Sequence, residues 1–258
     1  MVKRIFLVLL LFVCAFAAES KDLAFRAEKA VRAGKFAKAN SLYERALLSS
    51  RKESDLESEA RILIAMADLR TKSLDLDFAE KLLSEVRKAE LDTATLSAYS
   101  LAWMELFLER KNFDKVIEIK YSMDENFLKR IPDGILGNIL CVSAVAFAGN
   151  GNADLSEKYL QDAEDAFDGD APGTLAFARA RAAGLLKNAS ADSLFEAALK
   201  SSVRAGRPYM SASILYYRGQ NEKRPDVARD YLVRSANAFE LMGLLRNRDR
   251  SRSMSKDR

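Results

Sequence analysis

Leu23-Ala24-Phe25-Arg26-Ala27-Glu28-Lys29-Ala30-Val31-Arg32-Ala33-Gly34-Lys35-Phe36-Ala37-Lys38-Ala39-Asn40-Ser41-Leu42-Tyr43-Glu44-Arg45-Ala46-Leu47 reads as one helix, a break and a second helix. The periodic pattern of Leu23 to Arg32 runs into Gly34, a strong helix stop because glycine accepts the left-handed backbone without a Cβ clash. Beyond it Phe36, Ala39, Leu42, Tyr43, Ala46 and Leu47 recur at i, i+3, i+4 and i+7, the apolar face of a 3.6-residue period. Two helices joined by so few residues lie antiparallel.

The chain outside this stretch is built the same way. It is rich in Ala, Leu, Glu, Lys and Arg, holds 11 glycines and four prolines in 258 residues, and has few alternating β-branched runs. Pro132, Pro172 and Pro208 fall where successive hairpins are expected to join, and Pro225 where the last second-helix begins. Ser54-x-x-Glu57 and Asp77-x-x-Glu80 read as capping boxes, and Asp92 and Asp154 as N-caps. Leu96 to Leu108 and Ile135 to Ala148 are apolar on nearly every side. Such helices are sandwiched between neighbours, so these mark the interior of the array, with more polar units capping its ends.

Ala27, Gly34, Phe36, Ala39, Tyr43 and Ala46 stand at the spacings of the tetratricopeptide repeat, and the segment resembles that family. The alanines let two helices approach closely, and the aromatics fill the wedge between hairpins. With Ala39 as anchor, Ala79, Val116, Ser156, Asp192 and Ala228 are the expected equivalents, spaced 36 to 40 residues apart. That period exceeds the family's usual one, so the units are similar to tetratricopeptide repeats in a lengthened form. The resemblance implies an all-α fold, a right-handed α-solenoid of about six hairpins over residues 18–245. It also implies a concave groove lined by first helices. Carried onto this sequence, the groove positions are Glu28, Arg32, Asp68, Lys72, Glu105, Arg181, Tyr217 and Asn221. The Lys and Asn set by which some family members clamp a partner's C-terminal carboxylate is missing here.

The first residues read as a signal peptide, 1–17. Lys3 and Arg4 form a basic head, Ile5 to Ala18 is an unbroken apolar run, and Ala15-Phe16-Ala17 supplies a small-x-small cleavage pattern after Ala17. At 1.5 Å per residue the run spans about 21 Å, short of the roughly 30 Å of a hydrocarbon core. Cys14 opens a competing fate, lipidation as a bacterial lipoprotein, although Val13 stands where a small residue is usual. At the other end, 246–258 carries six basic and two acidic residues and a single apolar one, Met254. Too little apolar surface is available there to offset ordering, and a disordered basic tail is expected. The two ends account for more than the whole net charge of +4, leaving a slightly acidic body. Nucleic-acid binding therefore has no basic surface to rest on.

Chemistry is sparse. With no histidine, Ser-His and Cys-His nucleophile pairs are excluded, as is the commonest transition-metal ligand. Cys141 sits inside an apolar helix and reads as a small buried hydrophobe. Gly149-Asn150-Gly151-Asn152 reads as an interhelical turn rather than an anion cradle. The acidic run Asp162, Glu164, Asp165, Asp168 and Asp170 lacks the ordered ligand spacing of a calcium loop. No catalytic residue, cofactor or metal is expected.

The reading that results is a non-catalytic interaction scaffold, exported to a bacterial periplasm or cell envelope, binding a protein or peptide in its groove. Its rivals are an outer-membrane lipoprotein of an assembly or secretion complex, anchored through Cys14, and an enzyme acting on envelope polymer. Membrane association would run through a lipidated Cys14 or the basic tail.

Overall fold

The structure, a computed structural model, describes residues 19–88, 91–169 and 172–258. The signal segment 1–17, Cys14, Ala18 and Asp170 lie outside the described residues. Among the described residues the chain is all-helical, with 14 helices and no strand. They are α1 (19–32), α2 (Phe36–Glu53), α3 (Leu56–Lys72), α4 (Leu76–Glu85), α5 (Thr93–Glu109), α6 (Phe113–Tyr121) and the single-turn α7 (Glu125–Leu128). Then come α8 (Asp133–Gly149), α9 (Ala153–Phe167), α10 (Pro172–Leu185), α11 (Ala191–Arg204), α12 (Pro208–Asn221), α13 (Pro225–Leu241) and α14 (Leu245–Lys256). No helix among the described residues is long and apolar enough to cross a membrane.

Helices pack in adjacent pairs: α3 with α4, α5 with α6, α8 with α9, α10 with α11, α12 with α13. Alternate helices also touch in sequence, α3 on α5, α5 on α8, α8 on α10, and α10 on α12, which makes one continuous inner row. The pairing comes from a turn repeated along the chain. Lys35 N–H donates to Ala30 O, Asp75 to Arg70 O, Asn112 to Phe107 O, Asn152 to Phe147 O, and Arg207 to Ser202 O, at 2.8–3.0 Å. The residue before each donor has positive φ: Gly34, Leu74, Lys111, Gly151 and Gly206. This is the six-to-one closure that satisfies helix-end carbonyls, and Leu74 and Lys111 adopt it without being glycine.

The expected anchors are buried, with one correction. Ala39, Ala79, Val116 and Ala228 are fully buried and Ser156 nearly so, but Asp192 points outward to pair with Arg218 at 2.7 Å. The equivalent residue in α11 is Ala191: Ala191, Phe195, Ala198 and Ser202 are buried at the same spacing as Ser156, Leu160, Ala163 and Phe167 in α9. Two caps also move. Ser54 is the left-handed C-cap of α2, and Asp55 caps α3 by accepting from Ser58 N–H at 3.0 Å. Asn152, not Asp154, caps α9, while Asp92 caps α5 as expected. Asp75 precedes α4 without a side-chain cap bond, and Asp77 lies in its first turn. The helix α7, capped by Asp124, had no signal in the apolar pattern because its four residues are too few to show a period, although Phe127 and Leu128 pack half-buried against a core cluster.

The larger correction concerns the chain's two ends. The segment 246–258 is not a disordered tail: α14 runs through it and packs on α13, with Asn247, Ser251 and Ser255 buried. Nor are the ends of the array separate polar caps. Phe36 of α2 lies 5.6 Å, ring to ring, from Tyr209 of α12. A Cβ on Gly34 would come within 2.8 Å of Pro208 Cγ and 3.0 Å of Met242 Sδ, so glycine is required there by both the turn and the contact. Ala212, Tyr216, Leu232, Phe239 and Leu244 share one hydrophobic cluster with Leu23, Ala27 and Leu42. The C-terminal helices close onto the first ones.

Candidate functional site

The inner row places chemically active side chains on a shared space. On α3, Asp68 and Lys72 are four residues apart and face the same way, as do Glu105 and Glu109 on α5. Cys141, Val142 and Val145 arrive from α8, Phe177 and Arg181 from α10, Tyr209, Met210 and Tyr217 from α12, and Arg250 from α14. Together they border a cavity of about 190 Å³. A second, larger space of about 630 Å³ adjoins it and shares Asp68, Lys72, Glu105, Asn138, Thr174 and Met210. Glu28, Arg61, Ala98 and Ile135 border only the larger one.

Within the smaller cavity most charges are already paired. Lys72 Nζ pairs with Asp68. Arg250 Nη1 donates to Glu109 Oε2 at 3.1 Å and its guanidinium stacks on Tyr216 at 4.3 Å. Tyr217 Oη donates to Glu109 Oε1 at 3.1 Å. Arg181 differs: it lies over the Tyr217 ring at 4.4 Å and near Phe177, and no carboxylate pairs with it among the described residues. Thr71 is 4% exposed, and its Oγ1 has no hydrogen-bond partner among the described residues; neither has Arg250 Nε. A buried hydroxyl left unpaired costs roughly 1–3 kcal/mol.

Burial shifts the proton affinities. Burial, reinforced by the charge of Asp68, pushes the Glu105 carboxyl up to about 8, so it keeps its proton at neutral pH. Burial opposes the Lys72 charge, but Asp68 and Glu105 outweigh it and raise the ammonium's affinity for its proton. Arg250 is held charged in the same way by Glu109 against burial. Burial pushes the Tyr217 hydroxyl up to about 12 and the Cys141 thiol up to about 12 as well. Cys141 is thus a buried, protonated wall residue.

Of the groove positions expected from sequence, Asp68, Lys72, Glu105, Arg181 and Tyr217 converge on the smaller cavity, and Glu28 borders the larger one. Arg32 is exposed on α1 and acts on Tyr43, whose hydroxyl burial, Glu28 and Asp68 push up and Arg32 pulls down. Asn221 lies elsewhere, donating to Tyr217 O at 2.8 Å and lining a separate pocket with Gly184 and Arg218. Sequence reasoning missed Glu109, Thr71 and Arg250. Glu109 was findable from its four-residue spacing to Glu105; Arg250 was not, since it lies in a stretch with no apolar pattern.

The acidic run near α9 is dispersed. Glu164 pairs with Arg179 at 2.7 Å and Asp168 forms the left-handed C-cap of α9. Among the described residues no group of three or more His, Cys, Asp or Glu is placed to hold a metal ion. Comparison with protein-family models, with curated proteins and with solved structures gave no match.

Proposed function

We propose that the protein is an exported, non-catalytic binding scaffold, a right-handed α-solenoid of about six tetratricopeptide-like hairpins that holds an extended polypeptide on its inner row of helices. The observation that carries this reading is the larger space. It is bordered by an apolar floor, Ala98, Leu101 and Ile135, with Glu28, Asp68, Arg61 and Lys72 around it. Mixed charge over an apolar floor suits a peptide that brings its own alternating charges and backbone amides, with apolar anchors supplying affinity and charged rims supplying register. Export to a periplasm or envelope rests on the basic head Lys3-Arg4 and the apolar run behind it.

The test is site-specific photo-crosslinking in the envelope fraction. A crosslinker at Ala98 is expected to capture a discrete polypeptide, and the capture should fall when Arg61 and Lys72 are both changed to Glu. The same crosslinker at Lys200, exposed on α11, is the control. Equal capture at both positions would defeat the proposal. Intact mass of the mature protein separates cleavage after Ala17, a lipidated Cys14 and an uncleaved leader.

A further inference from the structure

The smaller cavity is built differently from the peptide-sized space beside it, and it calls for a different ligand. Its walls are largely apolar, from Val142, Val145, Phe177 and Met210. A 150 Å³ apolar cavity in a protein interior holds benzene, so about 190 Å³ suits a small molecule somewhat larger than that. One feature distinguishes it from a plain packing defect. The Arg181 guanidinium lies over the Tyr217 ring at 4.4 Å and finds no carboxylate among the described residues, whereas Lys72 and Arg250 each have one. A guanidinium stacked this way keeps its N–H edge free, and that edge matches a carboxylate in two parallel hydrogen bonds.

We propose that this cavity is a binding site for a small amphiphilic monocarboxylate, its acid group on Arg181 and its apolar body against Val142, Val145, Phe177 and Met210. The site does not depend on the peptide reading, because Ala98, Arg61 and Ile135 border only the larger space.

The probe is 3-phenylpropionate, titrated into the full chain by calorimetry alongside its primary amide. The acid is expected to bind about tenfold more tightly than the amide, a difference of about 1.4 kcal/mol. Arg181→Gln should remove that preference, and Lys200→Gln should change nothing. Methyl resonances of Val142, Val145 and Met210 in the unaltered protein should shift with the acid, which keeps the proposal testable if a variant folds poorly. Absence of binding, equal affinity for acid and amide, or shifts confined to exposed Leu241 would each overturn it. Neither the acid titration nor its failure bears on crosslinking at Ala98, so the two readings stand or fall separately.

Discussion

Helices α8 and α14 are both well formed, for opposite reasons. In α8 ten residues are buried, nearly all apolar, and α5, α6, α9 and α10 surround it. In α14 the buried residues are Asn247, Ser251 and Ser255, and its one large apolar residue besides Met254, Leu245, is 53% exposed. Hydrophobic burial orders the first. The second is ordered by polar contacts to distant places: Arg246 Nη1 donates to Asp75 Oδ1 at 2.7 Å and to Leu74 O at 2.9 Å, and Asn247 Nδ2 to Lys72 O at 3.1 Å. Arg250 holds Glu109, and Arg252 reaches Glu240 at 2.7 Å. Small serines let α14 lie close on α13, where Ser251 meets Ser235. A polar helix can thus be part of a folded body, provided its partners are already fixed and partly shielded from water.

The comparison breaks most sharply at Ile139, fully buried in α8. Ile139→Ala should cost about 3 kcal/mol, transfer loss plus cavity, and lower the whole unfolding midpoint in a denaturant titration. Arg250→Met should cost about 1–2 kcal/mol, because it takes the cation from Glu109 and leaves its carboxylate only the Tyr217 hydroxyl, and the loss should fall on α14. Hydrogen exchange is the measurement: amides of α14 should exchange faster while those of α8 keep their protection. Raising salt to 1 M should act in the same direction on α14 and leave α8 protected, through screening of the exposed ion pairs that α14 has and α8 lacks.

Glu105 lies between the two regions, on α5, facing Asp68 and Lys72 of α3 and flanked by Glu109 of its own helix. Its folded pKa of about 8 exceeds the ordinary value of 4.5, so the folded chain holds a proton that the unfolded chain releases. That contribution is complete below about pH 4.5 and lost as pH rises through about 8. Stability should therefore decline across this window, by at most about 1.4 kcal/mol per pH unit from this group. Glu105→Gln should flatten the decline, and melting curves at pH 5, 6.5 and 8 read it directly. The smallest effect concerns the repeated turn. Lys111 is exposed with φ +56°, and Lys111→Gly should stabilise by less than about 1 kcal/mol, since relief of the left-handed strain is partly offset by glycine's greater unfolded freedom. An unchanged or lower midpoint would show that the turn is not strained.

Much of the candidate site was legible because helical spacing puts Asp68 with Lys72 on one face, and the repeat pattern assigns that face inward. Arg32 and Asn221 show the limit. Each occupies an equivalent position in its own hairpin, yet the first ends on the α1 surface and the second in a separate pocket. Periodicity states which way a side chain points from its helix axis, not how far the row has bent by the time it gets there. Asp192 shows a finer limit: one residue of slip moved the anchor to Ala191, since a 36-residue spacing cannot tell neighbouring positions apart.

What the amino-acid order determined alone is local: most of the helix boundaries, that neighbours fold back on each other, and that α5 and α8 lie inside. These follow from interactions within a few residues, capping, turn geometry and apolar period, each readable along the chain. Tertiary structure alone decided that α12 to α14 close onto α1 to α3, that α14 is ordered at all, and that Arg250 meets Glu109 across 141 residues of sequence. The physical reason is that polar contacts are worth little until burial reduces the competition from water, and burial is a property of the assembled molecule.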